Sequence, residues 1–431
     1  MKEQSLWESY YENNQIKILE DDIKCDVLII GGGITGLLCA YELKKRNINY
    51  VLVEKDKVGN KTTLKTTAFI TAQHEVLYQD LLTKHGKEKT KEYLNINLKA
   101  LNMYKELSEE FDFDYKECNS YMYSSVSKDI ILQEKIALDI LGYKANVTDN
   151  IPLNINIKAA VSFNNQATIN PMKLVNILKK QLNIFEFTMI DKIKGNIAYT
   201  TTNQKIKFNK VIIATHYPIN NHRSLMFAKL TQRRSYVAAI KGINVENTYC
   251  SVDENGFYFR GYKDYLIIGG NDRNTKYKCI NTFKEKINEL IPDKNIDYLW
   301  SGQDCITIDD IPYIGKVTNN QYIATGFHLW GFTWAMASSF IIADEIENKH
   351  FYQIVSPNRF FIKKRLFINI LTTFKNLVSF KTPRCSHMKS SLNYNEYEHT
   401  FECPCHGSRF DENGKVIDGP AKDDIKLIKE D

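Results

Sequence analysis

The regular patterning begins with an apolar, β-branched run at residues 26–30 (DVLII), which predicts a buried parallel strand. The glycine-rich segment GGGITG (31–36) follows at once, and apolar residues then recur at helical spacing over 37–45. A second apolar run, 50–53, predicts the neighbouring strand and leads into Glu54 and Lys55. Residues 75–110 carry a long helical periodicity, and a strand is predicted around 160–163. Asn170-Pro171 has the form of an N-cap and first helical residue, for a helix running through 182. The stretch 205–215 ends in an apolar strand, VIIAT, and is followed by His216-Tyr217-Pro218. Short β-rich runs separated by turn residues occupy 235–270. A last strand of this part is predicted at 322–325, and GFHLWGFT (326–333) opens a helix through 346. Beyond it, 361–380 is amphipathic and basic. Lys363, Lys364, Arg365, Lys375, Lys381 and Arg384 punctuate apolar positions that include Leu366, Phe367, Ile370, Leu371, Phe374 and Leu377. No acidic residue lies between Phe360 and Arg384.

The order strand, GGGITG, helix, strand and Glu54 is a complete βαβ dinucleotide fingerprint, with Glu54 eighteen residues after Gly36. Gly31, Gly33 and Gly36 permit the tight turn and the close helix packing. The backbone N–H groups around Ile34 and Thr35 open a helix N-terminus suited to a pyrophosphate, and Glu54 can accept hydrogen bonds from a ribose. The fingerprint alone leaves NAD and FAD open. The threonine-rich stretch 57–71 is either a second phosphate or flavin contact or a solvated loop.

The tail brings different chemistry. Cys385-Ser386-His387 is followed, after fifteen residues, by Cys403-Pro404-Cys405-His406. Two Cys–His pairs on two loops are the ligand set of a Rieske 2Fe–2S cluster, two thiolates on one iron and two imidazoles on the other. Zinc on the same Cys₂His₂ set and a vestigial tail are the alternatives. A one-electron centre at one end of a chain implies a redox partner earlier in it.

Composition narrows the field. The 431 residues suffice for two or three domains, and 57 basic against 51 acidic residues give a net charge of +6, too dilute for a nucleic-acid binder. No apolar run reaches membrane-spanning length, and Met1-Lys2-Glu3-Gln4 lacks signal-peptide order. Nine cysteines form no disulfide framework; Cys25, Cys39, Cys118, Cys250, Cys279 and Cys305 read as ordinary core or surface thiols. A cytoplasmic location is expected.

Four segments, taken together and in this order, resemble the D-amino-acid-oxidase-like and glycine-oxidase-like FAD-dependent oxidoreductases. The chain resembles in particular the bacterial subgroup with a C-terminal Rieske domain. The segments are GGGITG with Glu54, KTTAFITAQH (65–74), VIIATHYP (211–218), and IPYIG followed by ATGFHLWGFT (311–333). The resemblance implies an α/β fold: a Rossmann-like FAD-binding domain, an α+β substrate domain and a small β-rich Rieske module. It divides the chain into an N-terminal extension (1–23), the flavin enzyme (24–350), a basic linker (351–382) and a shortened cluster-binding module (383–431). FAD-binding parts fall at about 24–75, 155–220 and 300–350, and substrate-domain parts at about 76–154 and 221–299.

The resemblance also implies cofactor contacts from Lys55, the Thr66–Thr67 pair, Ala214, Thr215, Gly326, Trp330, Gly331, Phe332 and Thr333. The helix start at 331–333 would face the flavin pyrimidine edge. Such enzymes usually take a hydride from a carbon beside an amine nitrogen. Tyr258, Arg260 and His328 are the candidates to face the substrate. Arg260 is either a carboxylate clamp or an exposed strand residue.

The tail departs from its pattern. Ser390 stands where cytochrome-bc-type Rieske proteins have a cysteine paired with the middle cysteine of CPCH, here Cys405. Phe410 stands where high-potential members have a tyrosine hydroxyl, leaving Ser408 as a donor. Only about fifty residues follow Pro383, enough for the cluster loops but not for a full domain. The expectation is a flavin dehydrogenase that oxidises an amine or amino-acid-like substrate and passes single electrons through the cluster to an acceptor. A flavin/iron–sulfur carrier or redox sensor without its own substrate is the alternative. The basic linker is expected to dock on the flavin domain, with an anionic membrane surface as the other possibility.

Overall fold

In the computed structural model the chain is described at residues 1–13, 17–153, 155–219, 226–254, 256–273, 280–359, 364–379, 383–396 and 398–427. Lys363, Lys381 and Cys279 lie outside the described residues. The strand Ile23–Ile30 runs parallel to Tyr50–Val53 on one side and to Lys205–Ile213 on the other. Gln321–Thr325 continues the parallel order beyond Lys205–Ile213, and Ile184–Phe185 beyond Tyr50–Val53. The central strands are apolar on both faces: Val27, Ile29 and Leu52 pack against the helices Ile34–Lys45, Pro171–Gln181 and Gly331–Ile346, and Leu28, Ile30, Val51 and Val53 against a core that includes Ile190, Ala198, Tyr217 and Leu230. Ile34–Lys45 and Gly331–Ile346 pack against each other on this sheet. Asn170 caps Pro171–Gln181 as its sequence predicts, its side chain accepting from the backbone N–H groups of Met172 and Lys173.

A second, largely antiparallel sheet is built on the long strand Leu230–Lys241, which lies between Tyr265–Arg273 and Tyr298–Thr307. It extends through Phe257–Tyr262 and Thr248–Ser251 to the pair Lys116–Ser124 and Ala159–Thr168. The predicted long helix is Leu77–Glu110, interrupted at Gly86, whose φ of 77° leaves the helical region. The N-terminal extension is not a loose arm. Ser5 and Glu8 form a capping box around the turn Leu6–Tyr10, which buries Trp7 completely.

The tail forms a small antiparallel sheet of its own, Asn393–Asn395, Thr400–Glu402, Arg409–Asp411 and Val416–Asp418. Its core of Cys385, Leu392, Cys403, Phe410, Ala421 and Ile425 is too small to stand alone. The module leans on the second, antiparallel sheet: Arg234 meets Glu398 and Glu402 at 2.9 and 2.7 Å, and Gln303 donates to the Gly407 carbonyl at 3.1 Å.

Candidate functional site

The C-terminal ends of the parallel strands open into a cleft with a cavity of about 400 Å³. Gly31, Gly33, Ile34, Thr35, Glu54, Lys55, Thr66, Thr67, Ala214, Thr215, Gly326, Trp330, Gly331 and Phe332 all line it, as does Tyr258. The turn is one only glycine can make. Gly31 has φ 111° and a Cβ there would lie 2.5 Å from the Ala214 carbonyl oxygen; a Cβ on Gly36 would lie 1.9 Å from that of Gly31. Gly36 therefore serves helix packing and does not itself line the cleft. Glu54 is oriented by Gly32 N–H, which donates to Oε2 at 2.6 Å, and by Asp56 N–H, which donates to Oε1 at 2.9 Å; burial raises its pKa. Each oxygen keeps acceptor capacity for a ribose hydroxyl.

Opposite lies the N-terminus of Gly331–Ile346, with no side-chain cap at Trp330. Its free N–H groups give the cleft a positive end, suited to anionic density on a cofactor ring. Thr333 points elsewhere: its hydroxyl donates to the Thr71 carbonyl and accepts from Thr71 N–H, both at 3.0 Å, tying the helix to the 65–74 stretch. His74, which sequence reasoning did not single out, supports the same corner. Its Nε2 lies 2.9 Å from the Thr71 carbonyl and must carry the proton, leaving Nδ1 to accept from the Tyr93 hydroxyl at 2.8 Å. Burial lowers its pKa to about 3, and its neutral ring stacks on Trp330 at 5.0 Å.

Two of the three catalytic candidates do not reach the cleft. Arg260 is neither an exposed strand residue nor a substrate clamp. It is fully buried, with Nη1 2.7, 2.9 and 3.1 Å from the carbonyl oxygens of Thr67, Ala68 and Ile169. Its work is to hold the Thr66–Ala68 loop, where Ala68 has φ 57°. His328 turns away to within 3.9 Å of Asp310, in a backbone of φ 51°, and its N–H donates to the Cys305 carbonyl. The polar residues the cleft gains instead include Arg233 and Asp304, cross-strand partners on Leu230–Lys241 and Tyr298–Thr307, together with His216 and Tyr217. A signal for Arg233 existed in the alternation of its strand, but the strand's register over the cleft is a tertiary fact.

The four tail ligands come together on two loops. Cys385 and Cys403 are buried, and the His387 and His406 rings lie 5.3 Å apart and nearly perpendicular. The Cys385 thiol is held down to about 6, first by Cys403 and then by the N–H of His387 and the Ser408 hydroxyl. His406 Nε2 donates to the Phe227 carbonyl at 3.0 Å, and burial lowers the ring's pKa to about 4. Nδ1 of this neutral ring therefore carries a lone pair, is buried, and has no protein partner: the state a metal ligand requires. Among the described residues no three such side chains are arranged around a single metal ion. A two-iron cluster asks instead for two thiolates and two imidazoles on separate irons, and the residues fit that demand. Ser390 is buried beside Cys405, where a disulfide partner would stand, so Cys405 is a free thiol.

Residues 26–345 match the FAD dependent oxidoreductase family (DAO), and residues 368–429 match the Rieske [2Fe-2S] domain. The chain belongs to the DAO family of FAD-dependent oxidoreductases and carries a C-terminal Rieske domain, with FAD and a 2Fe–2S cluster as its cofactors. It is 30% identical to the Rieske 2Fe-2S iron-sulfur protein YhfW of Bacillus subtilis (strain 168), across 99% of this chain and 97% of that one. In fold it is similar to glycine oxidase from Geobacillus kaustophilus, with TM-score 0.66 and 17% identity over 79% of this chain and all of that one. L-proline dehydrogenase from P. horikoshii is similar to the same degree, with TM-score 0.66 and 20% identity over 78% of this chain and 98% of that one.

Proposed function

We propose that the protein is a dehydrogenase that oxidises an amine or amino-acid-like substrate at FAD and passes the electrons singly, by way of the Rieske cluster, to a separate acceptor. The observation that carries this reading is the position of Tyr217. It lines the flavin cleft and packs edge-on against both ligand imidazoles, with ring centroids 5.9 Å from His387 and 5.8 Å from His406. The two cofactor sites thus share a wall, which supports single-electron hand-over between them. When bound, FAD supplies hydride acceptance and the cluster one-electron carriage. The chain's own residues do the rest. Glu54 and the 31–36 turn hold the nucleotide, the Gly331–Ile346 N-terminus favours negative charge on the ring, and Arg233 offers a fork to a substrate carboxylate. Arg233, not Arg260, is the carboxylate ligand in this reading. Residues 24–350 form the flavin enzyme, 351–382 the connection and 383–431 the cluster module.

Glycine oxidase and L-proline dehydrogenase, the similar folds, are both named for amino-acid substrates, which supports the substrate class. The test is anaerobic rapid mixing of the holoprotein with glycine, L-proline and their N-methyl relatives. Flavin bleaching followed by a reduced-cluster paramagnetic signal is expected. Bleaching by none of these amines, with reduction only by another redox protein, would favour the carrier reading.

A further inference from the structure

We propose that the helix Lys364–Val378 is a docking surface for an anionic membrane, and that it holds the cluster side of the molecule against the lipid. The outward face of this helix is apolar. Ile370, Leu371, Phe374 and Val378 stand at i, i+1, i+4 and i+8, which places them on one side, and they are 44, 66, 63 and 56% exposed. The inward face is already used: Asn369 donates to the Ala228 carbonyl at 3.1 Å, and Thr373 is buried. The linker thus touches the flavin side, as its sequence allowed, and still leaves a contiguous apolar stripe uncovered by this chain's described residues. Large exposed apolar patches mark interaction surfaces.

Charge decides which partner. Lys375 is exposed beside the stripe, and the segment from Phe360 to Arg384 carries Lys363, Lys364, Arg365, Lys375, Lys381 and Arg384 with no acidic residue among them. A second copy of the same helix would bring like charge against like. A surface of anionic headgroups over acyl chains satisfies both Lys375, exposed beside the stripe, and the stripe itself, and suits a segment whose sequence carries no acidic residue. Among the described residues no helix is long and apolar enough to cross a membrane, so the contact is peripheral. The helix is also next to the cluster loops: the Cys405 thiol donates to the Thr372 carbonyl at 3.9 Å, and Cys405 sits between Cys403 and His406. Docking therefore brings the cluster side of the molecule close to the membrane, with this helix between the cluster loops and the lipid. The docking itself stands whether or not the redox reading holds.

The test is co-sedimentation of the full holoprotein with vesicles of phosphatidylcholine alone and of phosphatidylcholine mixed with phosphatidylglycerol. Binding to the mixed vesicles, weakened by salt and nearly absent on phosphatidylcholine, is expected. Leu371→Glu with Phe374→Glu should weaken it by at least about tenfold, the effect of withdrawing two buried apolar side chains, with flavin and cluster spectra unchanged. Should the double variant fail to fold, Phe374→Trp replaces it, and its fluorescence should shift to the blue and be quenched by brominated lipid. Absence of binding, binding indifferent to these substitutions, or a stable dimer that buries Leu371 and Phe374 would overturn the proposal.

Discussion

The Arg260 guanidinium stays in a fully buried place by donating to four carbonyl oxygens, those of Thr67, Ala68 and Ile169 from Nη1 and that of Gly261 from Nε, and burial lowers its pKa to about 10. The Trp7 ring lies over its guanidinium at 5.6 Å, while Trp7 Nε1 donates to the Thr66 carbonyl at 2.7 Å, so two residues fix one cofactor loop. Arg260→Leu leaves those carbonyls without their donor and is expected to cost at least about 3 kcal/mol in denaturant unfolding. It should also loosen FAD, measured by cofactor retention on dilution. Tyr217 predicts a different pattern. Tyr217→Leu should slow cluster reduction by at least about tenfold in rapid mixing while leaving flavin reduction by light unchanged, because it removes the ring shared by the two sites. The glycines and Glu54 were legible because one short segment contains them and their geometry. Arg260 was not, because its partners at Thr67, Ala68 and Ile169 are brought to it only by the folded sheet.

At the scale of elements, strands and helices with strong periodicity were readable almost to the residue: Tyr50–Val53 and Gly331–Ile346 stand where the pattern puts them. The start of the long helix was not. Leu77–Glu110 has no cap of its own at Val76; Glu134, from the helix Lys128–Leu141, accepts from the N–H groups of Tyr78 and Gln79 at 3.0 and 2.9 Å. A cap borrowed across helices leaves no local signature. Burial raises the Glu134 pKa from 4.5 to about 7, against the backbone donors that favour its charged form. The folded state then holds a proton that the unfolded state has lost, so this residue's contribution declines as pH rises from 4.5 through about 7. Glu134→Gln should therefore gain on the native chain across that window in melting temperature. A constant difference would contradict the assignment.

Over the whole molecule, a module too small for its own core is stabilised by its cluster and by the flavin domain. Arg409 joins Glu398 and Asp418, Asp418 reaches Lys65 at 3.4 Å, and Asp418 through Lys422 line the flavin cleft. Lys65 and Arg409 hold the Asp418 pKa down to about 2 in spite of its burial. Arg234→Met removes the cation facing Glu398 and Glu402; it should speed loss of iron to a chelator and, by linkage, weaken FAD retention. Chelation kinetics and flavin release measured together test that coupling. The two cofactor signatures were plain in the sequence, but their shared wall was not, since Tyr217 and His406 are far apart along the chain.

The central claim is that one chain holds both cofactors. Anaerobically purified protein, examined by visible and electron paramagnetic resonance spectra with iron and acid-labile sulfide assays, tests it most directly. Flavin bands, a Rieske-type signal on reduction and about two irons with two sulfides per chain are predicted. Flavin without iron or sulfide, even after cluster reconstitution, would contradict the account.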